Sequence, residues 1–273
     1  MELQVGPIRL ILAPATPRLH RAAESVAARW PVQADTASIP ARVTTRIRLY
    51  EQAGRLPRVR AEVQSGDPAA GSWRMGQDPL WVAQGEGLAL VTVRLIAEPD
   101  PIAPAYGLRQ FLRAFLTEAT LVLGGLPLHA ASAARDGRAY VFLAPSGGGK
   151  TTLARRYAED GLLSDDTAFV VPGPHGPWVV PSPFPGREGL AASGAAAPLA
   201  RLVDLVKGVP AEVRPLPRAD GVARLVLRAK VPGHRLAIRE RVLDAAIHLA
   251  TVPGVLRMGL PPDRSPWSLL GVP

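Results

Sequence analysis

Glycines, one lysine and two threonines are packed into the segment APSGGGKTT, residues 144–152. The segment matches the Walker A phosphate-binding pattern, with alanine in place of the first glycine. Three successive glycines let the backbone curl until several N–H groups face one anion, and the helix expected to follow adds its positive N-terminal dipole. Lys150 can then reach the β- and γ-phosphates, and the Thr151 hydroxyl can bind Mg²⁺.

The flanking sequence favours this interpretation over a glycine-rich turn with a chance lysine. The apolar run AYVFLA, residues 139–144, predicts a strand before the loop, and TTLARRYAED, residues 151–160, predicts a helix after it. The sequence therefore predicts a nucleoside triphosphate site. Its expected binding residues are Ala144, Pro145, Ser146, Gly147, Gly148, Gly149, Lys150, Thr151 and Thr152.

Two adjacent carboxylates, Asp165 and Asp166, follow Lys150 by one helix and one turn, which returns the chain to the phosphate end of the sheet. Two carboxylates beside Mg²⁺ suggest a division of labour. One helps to hold the metal, and the other accepts a proton from an incoming hydroxyl. The alternative is that either residue merely caps the next element.

His129 belongs to the strand predicted just ahead of the strand that leads into the loop. Because these two strands would be neighbours, the imidazole could orient an aspartate. The alternative is a histidine with a purely structural role.

The elements that must position these residues fall into two predicted domains, 1–104 and 105–273. The first is β-rich, since residues 41–51 and 58–64 alternate apolar and polar positions and residues 80–98 indicate two strands joined across Gly85–Gly87. The proline-rich segment 99–107 is the expected joint. The N-terminal domain contains no constellation of chemically active residues, so structure or partner contact is its expected role.

The second domain alternates strands with helices, which indicates an α/β architecture. We expect an amphipathic helix over 108–125 that ends on two glycines. Further expected elements are a strand at 202–205, a helix over 241–250 and a docked tail past Pro261.

The composition excludes several classes of function. No apolar run approaches the roughly 20 residues that a membrane-spanning helix needs, and the first residues, which have no basic n-region, are expected to form a strand rather than a signal peptide. The chain has no cysteine, which excludes disulfides and thiolate metal sites and fits a cytoplasmic protein.

The net charge of +9 comes mostly from scattered arginines. A basic surface attracts nucleic acid, nucleotides or acidic peptides, although an arginine bias is also what a GC-rich genome produces. Without consecutive basic residues, and with only 5% aromatics, no nucleic-acid-binding surface is predicted.

The order of His129, a short hairpin, the loop APSGGGKT and the pair Asp165-Asp166 resembles the catalytic domain of HPr kinase/phosphorylase and its relatives. Similar features are GGLPLHAAS before the loop, PSPFPG after it and VPGVLRMGLPPD near the end, so the resemblance covers roughly residues 108–265. It implies an α/β fold with a P-loop kinase core of the HPr kinase/phosphoenolpyruvate carboxykinase type, here preceded by a smaller β-rich N-terminal domain. HPr kinases are hexameric, so a homo-oligomer is compatible with the resemblance.

The resemblance also implies a role for each site residue. Asp166 would accept the proton of a substrate serine, Asp165 and Thr151 would bind Mg²⁺, and His129 would stabilise the aspartate or the phosphoryl group. The backbone from Ala144 to Gly149 would hold the phosphates of ATP. The segment 187–190 approximates a family signature, an acidic residue before Arg-Gly-Leu-Gly, which assigns Glu188 to Mg²⁺. The signature itself is not reproduced, and because it is associated with phosphorolysis and with HPr, neither is expected here.

Related kinases phosphorylate a serine of ribosomally made precursor peptides, as in lasso-peptide clusters. The first hypothesis is therefore an ATP- and Mg²⁺-dependent kinase that acts on a serine or threonine of a peptide or protein. Three alternatives stay open: a kinase for a small molecule such as free serine, a nucleotide-gated switch, and a phosphorylase or carboxykinase-like reaction.

Overall fold

The computed structural model describes residues 1–30, 39, 41–52, 65–66, 69, 71–77, 80–96, 103–156, 161–186, 189–207, 209–231, 236–259, 261 and 264–272. The chain divides into two compact units, Met1–Leu123 with Val231–Arg239, and Gly124–Lys230 with Glu240–Pro273. Among the described residues, no helix combines the length and apolar character that crossing a membrane requires.

The first unit is a seven-stranded sheet with two helices. Its elements are β1 (Glu2–Val5), β2 (Ile8–Pro14), α1 (Pro17–Ala27), β3 (Val43–Gln52), β4 (Ser65–Gly66), β5 (Ser72–Gln77), β6 (Trp81–Glu86), β7 (Leu90–Ile96) and α2 (Ala103–Val122). The strand order is β1-β2-β3-β7-β6-β5-β4. The strands predicted at the N-terminus, at 41–51 and on either side of Gly85–Gly87 are confirmed, whereas the one predicted at 58–64 lies outside the described residues.

The helix predicted over 108–125 is α2, which begins five residues earlier. Its Phe111 and Phe115 stack on each other and contact Trp81 and Trp73 of the first sheet. The helix therefore groups with the N-terminal unit, and the division lies at Leu123/Gly124 instead of the predicted 104/105. Its amphipathic pattern shows that one face is buried but does not show against which sheet.

The second unit is mixed α/β and mostly strands. Its elements are β8 (Leu126–Arg135), β9 (Arg138–Leu143), α3 (Lys150–Arg156), β10 (Leu162–Ser164), β11 (Thr167–Gly173), β12 (Gly176–Val180), β13 (Ala197–Val206), β14 (Val213–Pro215), α4 (Arg218–Arg228), α5 (Leu236–Thr251), β15 (Val255–Gly259) and α6 (Pro266–Leu270). The first four residues of α5 group with the first unit. Five strands close into a ring, because β8 pairs with β9 and β11, β9 with β13, β11 with β12, and β12 with β13. The strand expected at 202–205 and the helix expected over 241–250 are confirmed as parts of β13 and α5.

Three strands of this unit, β9, β13 and β15, run parallel. Their carboxyl ends therefore lie along one edge, where open α/β sheets commonly bind ligands. The docked tail is also confirmed, since Trp267 of α6 is buried against Tyr140 and Phe142 of β9. This packing anchors the strand that leads into the glycine-rich loop.

Candidate functional site

The glycine-rich loop connects β9 to α3, so the predicted strand–loop–helix order is present. Its three glycines are required for two different reasons. Gly147 and Gly149 adopt left-handed backbone angles, with φ of 70° and 101°, which favour glycine. At Gly148 the limit is space, because a Cβ atom there would lie 2.6 Å from the Cβ of Ala144 and 2.9 Å from the Pro145 carbonyl oxygen.

Lys150 is the first residue of α3 and is buried, with 7% of its surface exposed. Its ammonium group donates to the carbonyl oxygens of Ala144 at 2.7 Å and Pro145 at 3.0 Å. Burial lowers the pKa of Lys150, and the positive charge of Arg228 lowers it further. Thr151 and Thr152 are exposed. The loop thus places a buried cation beside a turn that has no room for a side chain at Gly148, an arrangement that fits a phosphate group.

The carboxylate pair lies in the turn between β10 and β11. Ser164 shapes this turn, because its hydroxyl accepts hydrogen bonds from the N–H groups of Asp166 at 3.1 Å and Thr167 at 2.8 Å. Asp165 is buried, and its Oδ1 accepts a hydrogen bond from the N–H of Gly186 at 2.7 Å. Burial raises the pKa of Asp165, although this hydrogen bond opposes the shift.

Asp166 has the opposite electrostatic environment. Its Oδ1 lies 3.1 Å from Nδ1 of His129, while its Oδ2 accepts hydrogen bonds from Lys230 and, at 3.1 Å, from the hydroxyl of Thr167. The pKa of Asp166 lies well below its usual range, chiefly because of the hydrogen bond with His129 and then because of Lys230. Neighbouring carboxylates with diverging pKa values are typical of divided acid–base and binding roles. Asp166 is therefore the member of the pair that stays ionised.

Strand pairing explains why His129 reaches Asp166. In the antiparallel pair β8–β11, His129 lies opposite Thr167. The N–H of Ala130 also donates to the carbonyl oxygen of Asp166 at 3.2 Å. Sequence analysis expected that His129 could orient an aspartate because its strand would neighbour the strand before the loop, whereas the contact arises from the pairing of β8 with β11.

Lys230 was missed by sequence analysis. It follows α4, and two backbone contacts hold this segment on β8: the bridge between Leu128 and Ala229, and a hydrogen bond from the N–H of Lys230 to the oxygen of Pro127 at 2.9 Å. The side chain also donates to the Thr167 hydroxyl at 2.8 Å. One signal could have revealed it: lysine is scarce in this arginine-rich chain.

Only three of the 32 basic residues are lysines, namely Lys150, Lys207 and Lys230. The charge of Lys230 contributes to the lowered pKa of Lys150. Lys207 borders the loop, with its Cε 3.7 Å from where a Cβ on Gly149 would lie. Lys150 and Lys207 therefore lie at the loop, and Lys230 lies at the carboxylate pair.

A cavity of about 370 Å³ opens beside the loop, and we call it the arginine pocket. It is lined by Pro145, Ser146, Gly147, Gly148, Asp204, Leu205, Val206, Lys207, Arg224, Arg228 and Arg257. Asp204 is 3% exposed, and its Oδ2 lies 3.4 Å from Nε of Arg224. Burial raises the pKa of Asp204, while Arg224, Arg228 and Arg257 oppose the shift.

Asp204 was also missed by sequence analysis. It lies near the end of β13, in register with Leu143, the last residue of β9. Asp204 follows the buried apolar residues Leu202 and Val203, much as the Asp of a Walker B strand, which helps to hold Mg²⁺ in P-loop enzymes, follows apolar residues. Glu188, which sequence analysis assigned to Mg²⁺, lies outside the described residues.

No group of three or more His, Asp or Glu side chains among the described residues is arranged to hold a metal on its own. Mg²⁺ commonly needs only one or two carboxylates together with substrate phosphates and water. The oxygen donors of Asp165 and Thr151 suit such an ion, and Asp204 is a further carboxylate beside the loop.

A model of the family described as SynChlorMet cassette protein ScmC matches residues 108–254. A search of curated proteins found no match. The matched segment includes the glycine-rich loop, the carboxylate pair, His129, Lys230 and the arginine pocket except Arg257, and it covers more than half of the chain. The chain therefore belongs to the ScmC family of SynChlorMet cassette proteins.

Proposed function

We propose that the protein is an ATP- and Mg²⁺-dependent kinase that transfers the γ-phosphoryl group to a serine or threonine hydroxyl of a peptide or protein. The observation that carries this proposal is the environment of Asp166. An ionised carboxylate, held by His129 and Lys230, lies close enough to the buried Lys150 of the loop for its charge to oppose the lowering of that lysine's pKa. A base and a phosphate-binding cation in one site are what phosphoryl transfer to a hydroxyl requires.

Bound ATP would supply the electrophilic phosphoryl group, with Mg²⁺ to neutralise its charge. Asp166 orients the acceptor hydroxyl and takes its proton. His129 and Lys230 hold the carboxylate ionised and in place, and Lys150 exchanges its contacts with the loop carbonyl oxygens for contacts with phosphate. Asp165 and Thr151 provide oxygen ligands for the metal. These residues act by positioning and electrostatics, because phosphoryl transfer needs little covalent participation by the protein.

The order of His129, the loop and the carboxylate pair supports a P-loop core of the HPr kinase/phosphoenolpyruvate carboxykinase type. A peptide or protein acceptor suits the net charge of +9 if that acceptor is acidic. The description of the family as cassette proteins is consistent with an acceptor encoded by a neighbouring gene. We also propose a cytoplasmic location, since kinases of this type draw on cellular ATP.

A nucleotide-gated switch is the second candidate, and one observation favours it. Both carboxylate oxygens of Asp166 already have partners, Oδ1 with His129 and Oδ2 with Thr167 and Lys230. A carboxylate bound in this way could serve the structure of the turn alone. In that case hydrolysis would proceed without a hydroxyl acceptor.

Purified protein with Mg²⁺, γ-labelled ATP and the short peptides encoded beside its gene distinguishes the two candidates. The kinase predicts label on a peptide serine or threonine, and no label when that residue is replaced by alanine. Label released only as free phosphate, at a rate independent of every peptide, contradicts the kinase and favours the switch. Transfer to free serine but to no peptide assigns the acceptor to small molecules.

A further inference from the structure

The arginine pocket carries more positive charge than the residues around it neutralise. Its lining includes the cations Lys207, Arg224, Arg228 and Arg257, and a single carboxylate, that of Asp204. The N–H of Arg228 at Nε is buried and has no hydrogen-bond partner among the described residues. A buried donor without a partner is costly, and four cations against one carboxylate in the lining suit the pocket to an anion.

Strand register locates this excess charge relative to the loop. Asp204 is in register with Leu143 of β9 on one side and with Arg257 of β15 on the other. Adjacent strands are about 4.8 Å apart, so β15 lies about 10 Å from the strand that carries the loop. The pocket therefore begins at the loop and extends sideways across the sheet edge.

Arg228 links the pocket to the proposed reaction centre. Its positive charge adds to the lowering of the pKa of Lys150 and opposes the rise in the pKa of Asp204, so it lies near both. Two residues further along the chain, Lys230 binds the proposed base Asp166. The end of α4 thus connects the pocket with the residues that would act on the acceptor.

We propose that the arginine pocket binds an anionic group of the phosphoryl acceptor, a carboxylate or a phosphate close to the hydroxyl that reacts. This inference depends on the proposed kinase function. Guanidinium groups bind such oxyanions through paired hydrogen bonds. The pocket shares Pro145, Ser146, Gly147 and Gly148 with the loop, but its four cations all come from outside the loop and can bind an anion other than the phosphates that the loop and Lys150 would hold. The acceptor class is accordingly an acidic or already phosphorylated segment.

The test uses full-length protein saturated with a non-hydrolysable ATP analogue and Mg²⁺, so that the loop is occupied. Sulfate and two blocked tripeptides, Asp-Ser-Asp and Asn-Ser-Asn, are titrated while the arginine Nε–H signals are followed by NMR. Arg257→Gln removes one cation of the pocket. Arg138→Gln, an exposed arginine at the opposite end of β9, is the matched control.

Sulfate and the acidic tripeptide should bind the protein loaded with the ATP analogue. The neutral tripeptide should bind about tenfold more weakly or not at all, and Arg257→Gln should weaken the binding of sulfate and of the acidic tripeptide about tenfold. Arg138→Gln should leave anion binding unchanged, and nucleotide affinity should be the same in both variants as in wild type. Competition between sulfate and the nucleotide would overturn the proposal, because the pocket would then belong to the nucleotide site. Equal binding of the two tripeptides would also overturn it.

Failure of the proposed function gives a different pattern. If no nucleotide binds, the same titrations are repeated on the free protein and on Lys150→Met. Anion binding that survives Lys150→Met but not Arg257→Gln would support a separate anion site even though the kinase proposal had failed. Binding abolished by Lys150→Met alone would leave the loop as the anion site and reject the pocket.

Discussion

Gly148→Ala tests whether the loop is a phosphate cradle set by available space. The φ of Gly148 lies outside the left-handed region, so the backbone tolerates alanine, but the new Cβ would lie 2.6 Å from that of Ala144. Ordinary contact begins at 3.4 Å, so the loop must shift by about 0.8 Å. A misplacement of about 1 Å costs about a hundredfold in a positioned site, close to 2.8 kcal/mol.

We therefore expect nucleotide affinity, measured by titration with a fluorescent ATP analogue, to fall about a hundredfold. The free energy of unfolding should fall by only about 1–3 kcal/mol, the usual effect of overpacking. Gly147→Ala is the control, because its site has φ of 70° and no atom within 4 Å of the new Cβ. It should cost about 1–2 kcal/mol of backbone strain with a smaller loss of affinity. Unchanged nucleotide affinity in a folded Gly148→Ala protein would refute the reasoning.

Three further predictions concern the residues around the loop. Lys230→Met should lower the rate of phosphoryl transfer about a hundredfold and raise the pKa of Asp166. As the pH is lowered, the variant should therefore lose activity at a higher pH than wild type does. An unchanged pH–rate profile would contradict a role for Lys230. Gly186→Ala would place a Cβ 2.7 Å from that of Asp166 and 2.9 Å from Oδ2 of Asp165, so transfer should fall about a hundredfold while metal-free nucleotide affinity stays within about twofold. The pKa of Lys150 is lowered from 10.5, so the lysine loses its proton as the pH rises, at a pH below 10.5. Nucleotide affinity should decline with this rise in pH, and Lys150→Arg, which does not titrate there, should lack the decline.

The loop was predictable because its requirements are local. Residues 144–149 must curl around an anion, and each glycine satisfies a backbone or steric demand within the segment itself. The pairing of the His129 strand with the strand before the loop was predictable, since a two-residue turn joins β8 and β9 and sequential strands usually neighbour one another. The contact of His129 with Asp166 comes from a different pairing, that of β8 with β11, which the loop, α3 and β10 separate from β9 in the sequence.

The remaining site residues were missed because distant pairings assemble them. Asp204 reaches the loop only because β13, some sixty residues later in the sequence, pairs in parallel with β9. Lys230 reaches Asp166 only because a bridge at Ala229 holds the end of α4 on β8. Neither the apolar pattern of β13 nor that of α4 specifies the partner strand. For the same reason the amphipathic pattern of α2 predicted a helix but not the sheet on which it packs.

The replacement Asp166→Asn tests the central claim most directly, since asparagine keeps the shape of the side chain and removes the base. Single-turnover transfer of labelled phosphate from ATP to the acceptor is measured alongside nucleotide affinity. The account predicts a loss of transfer of about a hundredfold or more, with nucleotide affinity close to that of wild type. Equal transfer by both proteins would show that Asp166 only supports the turn between β10 and β11, and would contradict its role as the base.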